Sequence, residues 1–200
     1  MGRDSTETRL RILSAAYALF YRRGFQRTSL DDIADEAGVT KRTLYYHVRS
    51  KDDLAGEMLS HQHAFVLAQV TKWIGAPEKS SPGRSSPATA MVDRLFAGVE
   101  SWAGTRGPRN RWTGSGFTRI AMELADLPGH PARRAAQRHK AAIEAAFARR
   151  LAECGIAEPA ATAAQLQILL EGTLVMILIH GETGYAKTAA AAARKLVRST

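Results

Sequence analysis

The sequence predicts an all-α protein of nine or ten helices, with a small N-terminal three-helix domain followed by a larger helical bundle. Three observations carry that reading. Apolar residues recur at spacings of three and four along most of the chain, the period of a helix with one buried face. The period-two alternation of a half-buried strand is nearly absent. The apolar runs are punctuated by helix start and stop signals, with Ser, Thr or Asp before them, Pro at first helical positions and Gly after them.

Each element follows from its own residues. Between Asp4 and Arg23, Leu10, Leu13, Tyr17 and Phe20 form one stripe; Asp4 with Glu7 is a start signal and Gly24 a stop. Ser29-Leu30-Asp31-Asp32 is a capping box, opening a helix whose apolar face is Leu30, Ile33, Ala34 and Ala37 and which Gly38 breaks. Thr40 caps the next helix, with Leu44 and Val48 facing inward. A further capping box, Ser50-Lys51-Asp52-Asp53, starts a long helix to about Ile74.

Residues 75–87 are rich in Gly, Pro and Ser and read as a loop. Ser86 as cap and Pro87 at the first helical position begin a helix to about Ala103. Residues 104–116, with four glycines and one proline, read as an irregular segment. A shorter helix is expected from Phe117 to Leu127 and a long amphipathic one from Pro131 to Cys154, ended by Gly155. A mostly apolar helix follows from Pro159 to His180, then an alanine-rich helix after Gly184.

Composition bounds the function. Two hundred residues allow one large domain or two small ones, and a hydrophobic share of 45% supports a real core. The net charge of +9 makes a polyanion a plausible partner. The lone cysteine, Cys154, forms no internal disulfide, and the polar N-terminus has no apolar run of the signal-peptide kind. Ile168 to Ile179, the most apolar stretch, is shorter than the ~20 residues of a spanning helix and contains Glu171, so it reads as buried. A cytoplasmic protein that does not enter the membrane is expected.

Residues 28–54 carry the most specific signal. Two short helices joined at Gly38-Val39 have the plan of a helix-turn-helix. Between Val39 and Lys51 stand four Lys or Arg and no acid, while the preceding helix holds Asp31, Asp32, Asp35 and Glu36. A merely solvated surface would more often mix the signs. The basic, aromatic second helix suits the major groove, its donors available to phosphates and base edges.

The spacing resembles the TetR family of transcriptional regulators. Thr28, Ser29, Ile33, Ala34, Ala37, Gly38, Val39, Thr40, Leu44, Tyr45, His47, Ser50, Lys51 and Leu54 fall on that family's motif. Arg42 stands where the family often has glycine, and Val48 where it usually has phenylalanine, so Val48 is expected to pack less tightly against Leu13 and Phe20. The resemblance implies that Thr28, Tyr45 and Lys51 hold phosphates. It also implies that Thr40, Lys41, Arg42, Thr43 and Tyr46 lie in the groove, with His47 at its rim. A competing reading makes Tyr45 a core residue.

It further implies a DNA-binding domain over residues 1–50 and a helical ligand-binding and dimerisation domain over 51–200. The expected protein is a homodimer on a palindromic operator, a repressor released by a small-molecule effector. The alternative is a DNA-binding regulator controlled by a protein partner or by its own level. The dimer interface is expected at Ile143, Phe147, Leu151, Leu166, Leu170, Leu174 and Ile177. Candidate ligand contacts are Phe65, Phe96, Trp102, Trp112, Phe117, Met122 and Glu171, each of which also suits plain core. Trp112, in the Gly-rich segment, is placed to gate a cavity. The long helix from Ser50 joins head to body and is the expected lever.

No enzyme constellation, cofactor loop or metal site is expected. His61 and His63 diverge on a helix; Glu57 and His61 are correctly spaced but have no evident third ligand. No phosphate loop or nucleophile elbow is present. Cys154, at a helix C-terminus, is poorly placed for a thiolate.

Overall fold

The computed structural model describes residues 2–76, 85–105 and 112–198, with side chains from residue 5 onward. Nine helices and no strand occur among the described residues: α1 Gly2–Arg23, α2 Leu30–Ala37, α3 Lys41–His47, α4 Lys51–Ile74, α5 Pro87–Gly104, α6 Gly116–Glu123, α7 Pro131–Glu153, α8 Pro159–His180 and α9 Tyr185–Leu196. The all-α reading holds, and the helix bounds mostly agree within a residue or two. Parts of the loops read at 75–87 and 104–116, namely residues 77–84 and 106–111, lie outside the described residues.

Two bounds differ from expectation. α1 is already helical at Gly2, ahead of the start signal at Asp4. α6 stops at Glu123, where Leu127 was expected. Leu127 precedes Pro128, which disfavours helical backbone at the residue before it, and Gly129 follows. The chain therefore turns after Leu124, whose side chain is still buried.

The caps form as their residues dictate. Ser29 Oγ accepts the Asp32 N–H at 3.0 Å and the Asp32 carboxylate accepts the Ser29 N–H at 2.8 Å, completing the box. Thr40 Oγ1 accepts the Thr43 N–H at 3.1 Å, and Ser50 Oγ accepts the Asp53 N–H at 3.0 Å. Ser86 caps α5 with Pro87 in its first turn.

The chain forms two compact units, residues 1–64 with 115–139 and residues 65–114 with 140–200. The division differs from a cut at residue 50 because α6 and the first turns of α7 belong with the head, while α4 and α7 contribute residues to both units. In the first unit Ile12, Ala16, Leu19 and Phe20 of α1 are buried together with Ile33 of α2, Leu44 of α3, and Leu54 and Met58 of α4. Leu10, expected on the inner stripe, is exposed. Val48 is buried despite its small size.

In the second unit a single cluster joins Met91, Leu95, Phe96 and Val99 of α5 to Ile143, Phe147 and Leu151 of α7. Leu166, Leu170, Leu174 and Ile177 of α8 and Ala186, Ala190 and Ala193 of α9 complete it. Small side chains on α9 let it approach its neighbours closely. α8 is 22 residues long and apolar enough, by length and composition alone, to cross a membrane, as core helices of soluble proteins also can be. It is only partly buried: Ile168, Met176, Leu178 and Ile179 are exposed.

Gly98 marks the tightest approach in this unit. A Cβ there would lie 2.4 Å from the Trp73 ring, so the indole rests directly on the α5 backbone. Gly98→Ala should cost about 1–3 kcal/mol through overpacking, despite the better helix propensity of alanine. Thermal denaturation with a shift in tryptophan emission would register it; an unchanged melting temperature would contradict this packing.

Candidate nucleic-acid interface

The turn between α2 and α3 is set by Gly38, which adopts φ 63° and ψ 40°, a left-handed conformation that glycine enters without strain. Its N–H bonds Asp35 O at 3.1 Å, and the Val39 N–H bonds Ala34 O at 3.0 Å, closing the end of α2. Leu44, fully buried, pins α3 to the head, and Val39 is half-buried. α3 can therefore turn its remaining side chains outward.

It does so with most of the expected set. Tyr45 and Tyr46 are 57% and 83% exposed, which removes the core reading of Tyr45. Arg42 is exposed and has no ion-pair partner among the described residues. Thr40 and Thr43 share a hydroxyl–hydroxyl bond of 2.8 Å at the start of α3. His47 meets the Tyr46 ring edge-on at 5.2 Å, and its carbonyl accepts from Arg9 at 3.5 Å.

Lys41 is exposed but committed: its Nζ lies 2.7 Å from Asp31 of α2. The hydrogen bond and charge of Asp31 push its pKa up. Asp31 thus draws the ammonium sideways along the head. Such exposed pairs are weak enough for a phosphate to compete.

Thr28 departs from expectation. It is buried, and its hydroxyl donates to Gly24 O at 2.8 Å, so its side chain closes the loop before α2. A phosphate would have to displace that bond from inside the head. Exposed Arg27 is the cation that the loop presents instead, and Arg49 is exposed just beyond α3. Sequence reasoning passed over both, although each is a basic residue flanking a matched position.

Lys51 sits at the first turn of α4 with its Nζ 4.4 Å above the Phe25 ring. Partial burial lowers its pKa, against the opposing charges of Asp52 and Glu123. Phe25 also contacts Phe20 at 5.3 Å and His130 edge-on at 5.5 Å. The segregated charge has a structural use as well. Besides Asp31, which takes Lys41, Glu36 pairs with Arg22 at 3.0 Å and Asp32 with Arg23 at 3.5 Å, so two of the acids of α2 bind bases of α1 and leave Arg42 of α3 to solvent.

The other predicted residues divide between the units. Of the ligand candidates, Phe117 and Met122 belong to the first unit. Phe117 is buried and stacked on His139 at 3.7 Å, while Met122 is 66% exposed. In the second unit Phe65 is exposed and Phe96 lies in the closed core. Trp102 and Trp112 meet edge-to-face at 5.4 Å, with Trp73 at 6.2 Å from Trp102. The Trp112 Nε1–H is buried without a hydrogen-bond partner. Glu171 forms an ion pair with Lys140 at 2.5 Å and accepts from Gln167 at 3.2 Å. The segment expected to let Trp112 gate a cavity falls partly outside the described residues.

The predicted dimer residues need correcting. Ile143, Phe147, Leu151, Leu166, Leu170, Leu174 and Ile177 are all buried within the protomer's own core. A side chain enclosed there has no face left for a twin. The helical period located the apolar side of each helix but not which side the protomer itself covers. Cys154 has a raised pKa through burial, which disfavours its thiolate.

The Asp32 carboxyl is held below its ordinary value of 3.8, first by the Ser29 hydroxyl and then by the Ser29 N–H. A carboxyl with a depressed folded pKa stabilises the fold above its unfolded value, and that contribution is lost as pH falls through the folded one. Melting curves from pH 7 to pH 3 should therefore show wild type above Asp32→Asn at neutral pH, with the gap closing below about pH 4. A gap that stayed constant would mean that the capping box does not depend on the charge.

Residues 12–58 match the family model described as bacterial regulatory proteins, tetR family. The HTH-type transcriptional regulator TtgR of Pseudomonas putida is 43% identical over 60 residues, covering 30% of this chain and 29% of that protein. The chain's match thus spans less than a third of the length of such curated relatives. Solved structures extend the likeness to the whole fold. A TetR-family transcriptional regulator from Streptomyces coelicolor is 28% identical with a TM-score of 0.78, covering 97% of this chain and 96% of its own. A TetR-type regulator from Streptomyces avermitilis is 29% identical with a TM-score of 0.73, covering 93% and 97%.

Proposed function

We propose that this member of the TetR family of transcriptional regulators, recognised by its head and by the fold of its whole length, is a sequence-specific DNA-binding repressor released from a palindromic operator by a small-molecule ligand. The observation that carries the reading is α3 itself. It is a capped, acid-free helix, pinned by Leu44, that turns Arg42, Tyr45 and Tyr46 to solvent.

In this reading Arg42, Thr43 and Tyr46 enter the groove with Thr40 and Lys41, and Tyr45 and Lys51 hold phosphates on either side. His47 stands at the rim. Thr28 acts through the loop that it closes. Arg42→Ala should relax preference at one base pair per half-site, by about 1–3 kcal/mol if Arg42 grips a guanine through two bonds. Lys51→Ala should weaken all sequences alike and reduce the salt slope by about one per head. Binding titrations of specific and random duplexes over a salt series test both. Two variants that behaved as wild type on every duplex would sink the assignment.

One such head reads few base pairs, so two are needed on a palindrome. The homodimer is proposed to form through the exposed stripe of α8, Ile168, Met176 and Ile179, with Gly172 allowing close approach. A twin covering that stripe would keep it from lipid, in keeping with the cytoplasmic location proposed for such a regulator. Ile168→Glu combined with Ile179→Glu should give a folded monomer by sedimentation. Leu174→Ala should instead destabilise the protomer, by about 2–5 kcal/mol. Dissociation by the second variant without loss of stability would reverse the assignment.

Functionally, residues 1–50 read DNA and residues 51–200 bind ligand and dimerise, with α4 as the lever between them. The tryptophans of the second unit, with the unpartnered Trp112 Nε1–H, are the best-supported ligand contacts. An inducer must prefer the DNA-incompetent state, by ~10⁴-fold to move the balance almost completely. A regulator without a small ligand is favoured by one observation: Phe96, a candidate ligand contact, is buried in the second unit's hydrophobic cluster. A thermal-shift panel with and without operator separates the two.

A further inference from the structure

We infer that Glu123 of α6 is a positioning residue for DNA binding: it fixes the loop at residues 24–28 and, through Phe25, the ammonium of Lys51. The inference rests on the DNA-binding reading above and adds to it a residue far from the reading helix.

The loop is built around that carboxylate. Gly24 has φ 92°, and a Cβ on it would lie 2.9 Å from Glu123 Oε1, so backbone and carboxylate meet directly. The Gln26 N–H, beyond the end of α1, donates to Glu123 Oε2 at 3.1 Å. One turn back on α6, Arg119 donates to Tyr21 O at 2.7 Å, a carbonyl in the last turn of α1, where the helix supplies no partner of its own. Arg119 Nε also lies 3.7 Å from Glu123 Oε1, which steadies the carboxylate. α6 therefore holds the end of α1 with one side chain and the following loop with the other.

Phe25 lies between these two anchored points. Its ring is the surface on which the Lys51 ammonium rests, and it is buried against Phe20 and His130. The Thr28 hydroxyl ties the far end of the loop back to Gly24 O. Releasing Gln26 would let Phe25 shift and take the Lys51 phosphate contact with it. Because the charge of Glu123 also acts on Lys51, its two roles separate by substitution. Glu123→Gln keeps an acceptor for Gln26 and drops the charge; Glu123→Ala drops both.

The test uses the full chain and the duplex that wild type enriches from a randomised palindromic library. Glu123→Ala should bind that duplex about tenfold more weakly, the scale expected for losing one charge-assisted hydrogen bond. Its preference among base sequences should be unchanged, since Lys51 meets phosphate. Glu123→Gln should bind at least as tightly as wild type. Hydrogen exchange should show the Gln26 amide protected in wild type and in Glu123→Gln, and exposed in Glu123→Ala. If the alanine variant melts below the assay temperature, Glu123→Ser, too short to reach Gln26, replaces it with the same expectations. Wild-type binding by the alanine variant, or a glutamine variant that falls with it, overturns the proposal. A wild-type chain that enriches no duplex fails the DNA-binding premise instead, and the exchange measurement still reports whether the carboxylate holds the loop.

Discussion

A seven-residue helix has little stability of its own in water, because nucleation consumes most of what so few backbone bonds return. α3 is such a helix, and the functional reading depends on it being in one place. What keeps it there is the turn at Gly38, the Thr40 cap and the burial of Leu44. The constraint leaves α3 a single anchoring side chain in its interior and frees the rest for a partner. One acid of α2, Asp31, balances Lys41 of α3, while Arg42 stays exposed.

The head was legible in the sequence because its determinants are local. The Ser29–Asp32 capping box, the caps at Thr40 and Ser50 and the glycine turn all lie within a few residues of what they control, and each reappears as a bond or angle. The exceptions are long-range. The burial of Thr28 follows from the loop closing on itself. The approach of Glu123 to Gly24 and Gln26 joins residues nearly one hundred positions apart. No spacing rule reports such a pair. Leu10 and the end of α6, expected at Leu127, were misjudged for the related reason that a helical period gives the phase of a stripe but not where an element begins or ends.

The second unit teaches the same lesson from its helices. α8 is apolar nearly all round, which announces burial on more than one side, yet the pattern cannot rank those sides. The protomer uses Leu166, Leu170, Leu174 and Ile177 for its own core and leaves Ile168 and Ile179 bare. The candidate ligand residues suffer the same ambiguity. An aromatic residue near a helix centre suits a cavity wall and a filled core equally, and only packing distinguishes enclosed Phe96 from Trp112 with its unpartnered N–H.

Gly24 has a consequence for how this chain can vary. Its backbone lies where side chains are strained, and the space a side chain would need is already taken by a carboxylate. These are two independent obstacles at one position. Shortening residue 123 would clear the second and leave the first, so no single compensating change opens position 24. The reverse does not hold, since residue 123 meets no such steric bar while glycine stays, and is limited only by what its bond to Gln26 does. Drift in this corner of the molecule is therefore one-sided, reaching the loop from α6 and not from the loop itself.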